Sequence, residues 1–433
     1  IALAKIKQVS PARRAAFEIL REVAAGAFSS ILLAAAEPEL KPPDRALTHE
    51  LVLGVLRWQL WLDKLIEHFS KRATDSLDLP VRLALRIGLY QLRFLERVPA
   101  SAAVNEAVNL VRSARVSSAA ALVNAVLRRA IRESDFDPSS DLEPLEKLAV
   151  QTSHPSWLLK RWIESFGKEE AEAFARANNR VPPTAFRIVE GDLDGILARL
   201  REAGGIIETS TVAQNAWRIS GATSLLRELT ADGKIYLQDE ASQLVAQTVN
   251  VQPGERVLDL CAAPGGKTTL MAKRVEDRAL IVASDRSEKR LETILKITAS
   301  HNLTSIKSLQ LDAAQNLPFE NSVFDRVLVD APCSGTGTLR RNPEIRWRIS
   351  ETDVHELAAQ QKLFLKHAAR VLKPGGQFVY STCSVERDEN EAVIADFQRE
   401  QENFTLQNTR RLWPHREGTD GFFIASLQLA AQQ

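Results

Sequence analysis

The sequence predicts a chain of three parts: an all-helical N-terminal domain, a small α+β middle module and a C-terminal α/β domain built on a parallel sheet. Three observations carry this. Residues 11–133 hold successive amphipathic helical patterns. Residues 184–237 mix short β-like runs with a helix. From residue 254 the rhythm becomes strand, turn, helix, and it repeats. A length of 433 residues suits about three domains. The expected boundaries are 1–135, 136–237 and 238–433.

The first helix is read in "PARRAAFEILREVAAG": Pro11 opens it, Phe17, Leu20 and Val23 recur at helical spacing, and Gly26 stops it. In "DLPVRLALRIGLYQLRFLERVP", Leu85, Leu89 and Leu92 share one face. Arg82, Arg86 and Arg93 fall within about 40° of one another on that helix. A solvated, salt-bridged face is the simpler reading of each. "AALVNAVLRRAIRE" adds a helix carrying Arg128, Arg129 and Arg132. The acidic linker "ESDFDPSSDLEP" follows, of the kind at which domains part. Helical pattern returns at "HPSWLLKRWIESFG" and runs to about residue 180. The middle module, which we expect to be RRM-like, shows strands in "TAFRIVE" and "KIYLQDE" and a helix in "DLDGILARLREAGG".

In the C-terminal domain, "RVLDL", "LIVASD", "SLQLD", "RVLVDAP" and "GQFVYSTCS" are apolar runs without alternation. Such runs between helices mean a parallel sheet buried on both faces. Ligands of these sheets bind beyond the carboxyl ends of the strands. Every candidate residue below sits at such an end.

Composition removes several function classes. No run approaches the roughly 18 to 20 apolar residues of a membrane span. The apolar stretch in "IALAKIKQVSPARR" is too short for a signal peptide, and the numbering opens at Ile1 without Met. Three cysteines without C-x-x-C argue against a disulfide framework and a structural zinc site. The seven histidines do not cluster, so no metal is expected. A reducing cytoplasm is the expected setting. Net charge is only +1, but residues 1–132 carry a balance of +8 and the remainder −7. A polyanion-binding face on the N-terminal part fits this asymmetry, and chance unevenness fits it too.

"VLDLCAAPGGKTT" sets Gly265 and Gly266 between the first strand of this domain and a helix, where backbone can approach a ligand closely. A P-loop needs glycine five residues before Gly266, and Cys261 stands there. The second strand ends at Asp285, nineteen residues after Gly266, a distance that suits the hydroxyls of a ribose. The third ends at Asp312 and the fourth at Asp330. One glycine loop with three strand-end acids suits an adenosine without phosphate, and a sulfonium would find acids congenial. Each acid alone is equally a helix N-cap.

"LDLCAAPGGKTT", "DAPCSGTG", "NPEIRW" and "YSTCSVERDENEAVI" together resemble the motifs of the RNA (cytosine-5) methyltransferases. "VNEAVNLVRSARVSSAAALVNAVLRR" is similar to the NusB fold, an RNA-binding helical domain. Both on one chain resemble the branch of the family that acts on bacterial 16S rRNA. The resemblance implies a NusB-like N-terminal domain and a Rossmann-like class I methyltransferase domain. It implies S-adenosyl-L-methionine as cofactor, held by Cys261, Ala262, Ala263, Pro264, Gly265, Gly266, Lys267, Asp285, Asp312 and Asp330. It implies 16S rRNA as partner, through a single-stranded or flipped cytosine; we expect a monomer.

The chemistry that the resemblance implies is covalent. A thiolate adds to carbon 6 of cytosine, which makes carbon 5 nucleophilic enough to take a methyl group. The family assigns attack to Cys383 and product release to Cys333. Asp330 suits the N3/N4 edge of the base, which must leave any stack to be reached. Cys261, mid-loop with aliphatic neighbours, is expected to pack beneath the cofactor. Arg340–Trp347 offers cations and an aromatic, the mix that holds an RNA strand. Two alternatives stay open: a related enzyme acting on 23S rRNA or tRNA, and an inactive RNA-binding ribosome assembly factor.

Overall fold

A computed structural model describes residues 9–431; residues 1–8, on which the reading of the N-terminal apolar stretch rests, lie outside it. The described chain forms two compact units. The first runs to Arg180 and includes Leu339–Arg348; the second takes Val181–Thr338 and the chain from Ile349 onward.

The first unit is helical. Its N-terminal part contains Pro11–Ala24, Pro42–Arg57, Gln59–Ser70, Leu79–Phe94, Ala100–Ser113 and Ala120–Arg132. Phe17, Leu20 and Val23 enter one core with Leu51, Leu85 and Leu89, as their spacing predicts. Pro144–Thr152, Ser156–Phe166 and Lys168–Ala177 complete the unit. On the arginine face, Arg82 and Arg86 are ion-paired and Arg93 is hydrogen-bonded. Arg86 holds both oxygens of Asp63 at 2.7 Å, Arg82 reaches Asp75 at 2.7 Å, and Arg93 donates to the Glu133 carbonyl at 2.9 Å.

Within the same unit, two of the three arginines of Arg340–Trp347 are buried rather than exposed to an RNA strand. Arg340 and Arg346 are 4% and 0% exposed. Arg346 donates to the Ser153 carbonyl and to Asn179 Oδ1, both at 3.0 Å, and more distantly to the Asn178 and Leu339 carbonyls at 3.4 Å. Glu344 accepts from the Ser29 amide and hydroxyl, and Trp347 Nε1 donates to the Leu56 carbonyl at 2.7 Å. The segment satisfies helix ends and loops with buried hydrogen bonds, as buried polar groups require. The charges of Arg346 and Glu344 are structural.

The second unit begins with a β-α-β-β-α-β module. Its strands are β1 (Thr184–Ile188), β2 (Ile206–Thr209), β3 (Trp217–Ser220) and β4 (Ile235–Leu237), with helices Leu193–Glu202 and Thr223–Ala231. They form an antiparallel sheet in the order β2-β3-β1-β4 over a core of Phe186, Leu200, Trp217, Ile219 and Leu229. The short strands β2 and β3 escape the sequence reading. Three of four β2 residues are exposed, so no apolar run marks it.

The larger sheet contains β5 (Arg256–Asp259), β6 (Leu280–Asp285), β7 (Ile306–Gln310), β8 (Phe324–Asp330), β9 (Leu372–Thr382), β10 (Phe404–Leu412) and β11 (Phe422–Leu429). The order is β10-β11-β9-β8-β5-β6-β7. Strands β5 to β9 are parallel, as expected. Beyond the expectation, β11 and β10 continue the sheet antiparallel. β10 is an edge strand with mostly exposed residues, which carries little periodic signal. Leu258, Val327 and Phe378 fill one face, and Val257, Leu328 and Val379 the other. The order reverses between β5 and β8, and such a switch point opens a crevice at the strand ends. Among the described residues, no helix is long and apolar enough to cross a membrane, and no group of three or more His, Cys, Asp or Glu is placed to hold a metal ion.

Candidate active site

Parallel pairing sets Asp330 of β8 beside Ser381 of β9, so the turns after both strands leave the sheet together. This brings the Cys333 and Cys383 sulfurs to 3.1 Å. Gly337 makes the approach possible. Its amide donates to the Cys383 carbonyl at 2.9 Å, and a Cβ there would lie 1.9 Å from the Gly421 carbonyl oxygen. Only glycine fits. The hydrogen bond to Cys383, and then burial, push the Cys333 thiol well above the usual range. Cys333 is thereby favoured as a neutral thiol beside the Cys383 sulfur. The two sulfurs are neighbours within hydrogen-bond reach of each other.

Asp330 is held from two sides. Lys267 Nζ donates to its Oδ2 at 2.7 Å, and Ser381 Oγ to its Oδ1 at 2.6 Å. Burial works against the Lys267 ammonium, but Asp330, with lesser help from Cys383 and Asp259, raises its pKa overall. A permanent cation thus stands between the glycine loop and the cysteine pair.

The loop itself rests on Asp259, the last residue of β5, which the sequence reading did not single out. Thr268 Oγ1 donates to Asp259 Oδ2 at 2.7 Å, while the buried Oδ1 has no hydrogen-bond partner. Burial pushes this carboxyl up to about 7; Thr268 opposes the rise, and Asp330 and Asp285 add to it. Gly265, at φ +104°, turns the chain into helix Gly266–Arg274. Arg187 on β1 braces that helix start, donating to Thr269 Oγ1 at 2.9 Å from a fully buried position over the Tyr236 ring. A lone arginine in a short strand gave no sequence signal for this.

Asp285 is buried, and it is not the N-cap of the following helix; Ser287 is. Asp285 Oδ1 accepts from the Ser287 amide, and Oδ2 faces Arg290, which also donates to the Ala263 carbonyl at 2.8 Å. Asp312 lies two residues beyond β7 and accepts from the Ala314 amide at 2.9 Å. Burial pushes the Cys261 thiol well up, and Asp259, Asp330 and Asp285 push it further, so it stays a neutral packing group. Three carboxylates therefore converge on this loop, one with an unpartnered oxygen. A sulfonium-bearing adenosine fits that chemistry.

Residues 246–428 match the 16S rRNA methyltransferase RsmB/F family, residues 10–132 the NusB family, and residues 154–225 the ferredoxin-like domain of RsmF/B-like methyltransferases. The chain is 34% identical over 426 residues to the probable ribosomal RNA small subunit methyltransferase B of Bacillus subtilis, covering 93% of this chain and 95% of that one. It is 35% identical over 408 residues to the ribosomal RNA small subunit methyltransferase B of Pseudomonas putida, covering 89% and 90%. The crystal structure of PH0851 superposes with a TM-score of 0.84 at 28% identity, over 97% of this chain and 99% of that one. With a catalytic sheet, a NusB domain and a ferredoxin-like module all matched, the chain belongs to the RsmB/F family of S-adenosyl-L-methionine-dependent RNA methyltransferases.

Proposed function

We propose that the protein methylates carbon 5 of one cytosine in 16S rRNA through a covalent bond to Cys383. The observation that carries this is the Cys333–Cys383 contact at 3.1 Å at the ends of two neighbouring parallel strands. Bound S-adenosyl-L-methionine supplies the methyl group. Cys383 Sγ bonds to carbon 6 of the extruded base and moves electron density to carbon 5. Asp330 keeps acceptor capacity beyond Lys267 and Ser381, enough to take a hydrogen bond from the cytosine amino group. Once carbon 5 is methylated, its proton passes to solvent water, the carbon 5–carbon 6 double bond re-forms, and the carbon–sulfur pair leaves on Cys383 Sγ, which restores the thiolate. Cys333, in contact with the departing sulfur, assists that elimination.

The cofactor is assigned to the loop Cys261–Lys267 with Asp285, Asp312 and Asp330. Asp285→Ala weakens S-adenosyl-L-methionine binding by about 1.5 to 3 kcal/mol, the scale of a hydrogen bond to a charged group. Calorimetry on the folded variant checks this, and an unchanged affinity removes the ribose assignment. The basic residues of 1–135 suit 16S rRNA, and the protein is assigned to the cytoplasm as a monomer. Names of relatives such as the B. subtilis protein support the small-subunit substrate. Bisulfite sequencing of total RNA from a strain lacking the gene tests the whole reading. One 16S rRNA cytosine should lose protection. A change in 23S rRNA or tRNA redirects the substrate, and no change leaves an assembly factor.

A further inference from the structure

One buried carboxylate joins the two cysteine-bearing turns. Glu389 is 0% exposed. Its Oε1 accepts from the Ser334 amide at 2.8 Å and from Gln361 Nε2 at 3.1 Å. Its Oε2 accepts from the hydroxyls of Ser334 and Ser384, each at 2.5 Å. Ser334 directly follows Cys333, and Ser384 directly follows Cys383. Gln361 extends the brace, donating from the same Nε2 to the Pro332 carbonyl, one residue before Cys333, at 2.9 Å. Tyr380 Oη in turn donates to the Glu389 carbonyl at 2.6 Å. None of these hydrogen bonds goes to a sulfur.

Burying a carboxylate is costly unless hydrogen bonds compensate, and stability alone is often served as well by apolar residues. Burial does raise the Glu389 pKa, with the two serine hydroxyls opposing the rise. The return on that cost is geometric. We propose that Glu389 is a positioning residue for methyl transfer: by holding Ser334 and Ser384 on one carboxylate, it fixes the separation of the two sulfurs. Cys333 then stays within hydrogen-bond reach of Cys383 while Cys383 attacks and departs. Misplacement of reacting groups by about 1 Å costs on the order of 10²-fold in rate.

The test uses the full-length protein with RNA and S-adenosyl-L-methionine. Glu389→Gln keeps the size but replaces one acceptor with a donor that cannot serve the serines. It should lower kcat by about 30-fold or more, the scale of such misplacement. The KM for cofactor and for RNA should stay within about 2-fold, because neither binding surface is touched. The double variant Ser334→Ala with Ser384→Ala should lose kcat similarly, and adding it to Glu389→Gln should cost little more, since all three changes break one interaction. A folded Glu389→Gln with wild-type kcat overturns the inference, as does a loss confined to KM, or a serine loss that multiplies in full with that of Glu389→Gln. If Glu389→Gln fails to fold, the serine variant decides, and full activity there overturns the inference. The inference rests on Cys383 and Cys333 being the reacting pair. An active Cys383→Ala would defeat that pair and this role together, whereas an inactive Cys383→Ala beside a fully active Glu389→Gln defeats only the role of Glu389.

Discussion

Cys383→Ala abolishes methylation and every covalent RNA adduct, whereas Cys333→Ala accumulates an adduct that survives denaturing electrophoresis. Removing a covalent nucleophile costs at least about 10⁴-fold in rate, because the bond to carbon 6 can then no longer form at that position. Removing Cys333 leaves attack and methyl transfer in place and slows the elimination. The trapped species should require both RNA and S-adenosyl-L-methionine. The double variant should trap nothing, since trapping depends on prior attack. The opposite pattern, with adducts from Cys383→Ala and none from Cys333→Ala, would reverse the two roles. Methylation untouched by either change would end the covalent reading.

Arg346→Ala destabilises the helical unit by about 3 to 5 kcal/mol. The guanidinium is fully buried and serves the Ser153 carbonyl, Asn179 Oδ1 and more distant carbonyls. Deleting it strands several buried acceptors at about 1 to 3 kcal/mol each, partly relieved by relaxation, and leaves a cavity. Arg346→Lys should recover little, because an ammonium cannot reproduce the planar fork. Denaturant unfolding followed by circular dichroism measures the loss. Unchanged stability with weaker, less salt-dependent RNA binding would instead return Arg346 to the RNA surface.

Arg346 also shows where the sequence stops being legible. A short stretch with three arginines and a tryptophan reads as exposed, because charge normally is. Its partners Ser153 and Asn179 lie far away in the chain, and nothing local announces them. The parallel strands and the acids at their ends were legible, because strand-end sites follow from sheet topology. Even there, Asp259 is inconspicuous beside the glycines that follow it. The pairing of Cys333 with Cys383 came from resemblance alone; spacing does not reveal that β8 and β9 are neighbours. Glu389 sits in "VERDENEA" among other acids, and burial, which singles it out, is invisible in one dimension.

The placement of Leu339–Arg348 within the helical unit has a consequence during synthesis. The ribosome finishes Arg180 and then makes 168 more residues before Arg348 emerges. At about 5 to 20 residues per second, that interval is roughly 10 to 30 s. Throughout it, the nascent helices lack the guanidinium of Arg346 and the carboxylate of Glu344 that later complete their core. An N-terminal fragment released at Arg180 would carry the same defect permanently. The unit that is begun first is therefore completed late, and its last ten residues arrive only after the turn bearing Cys333 has been made.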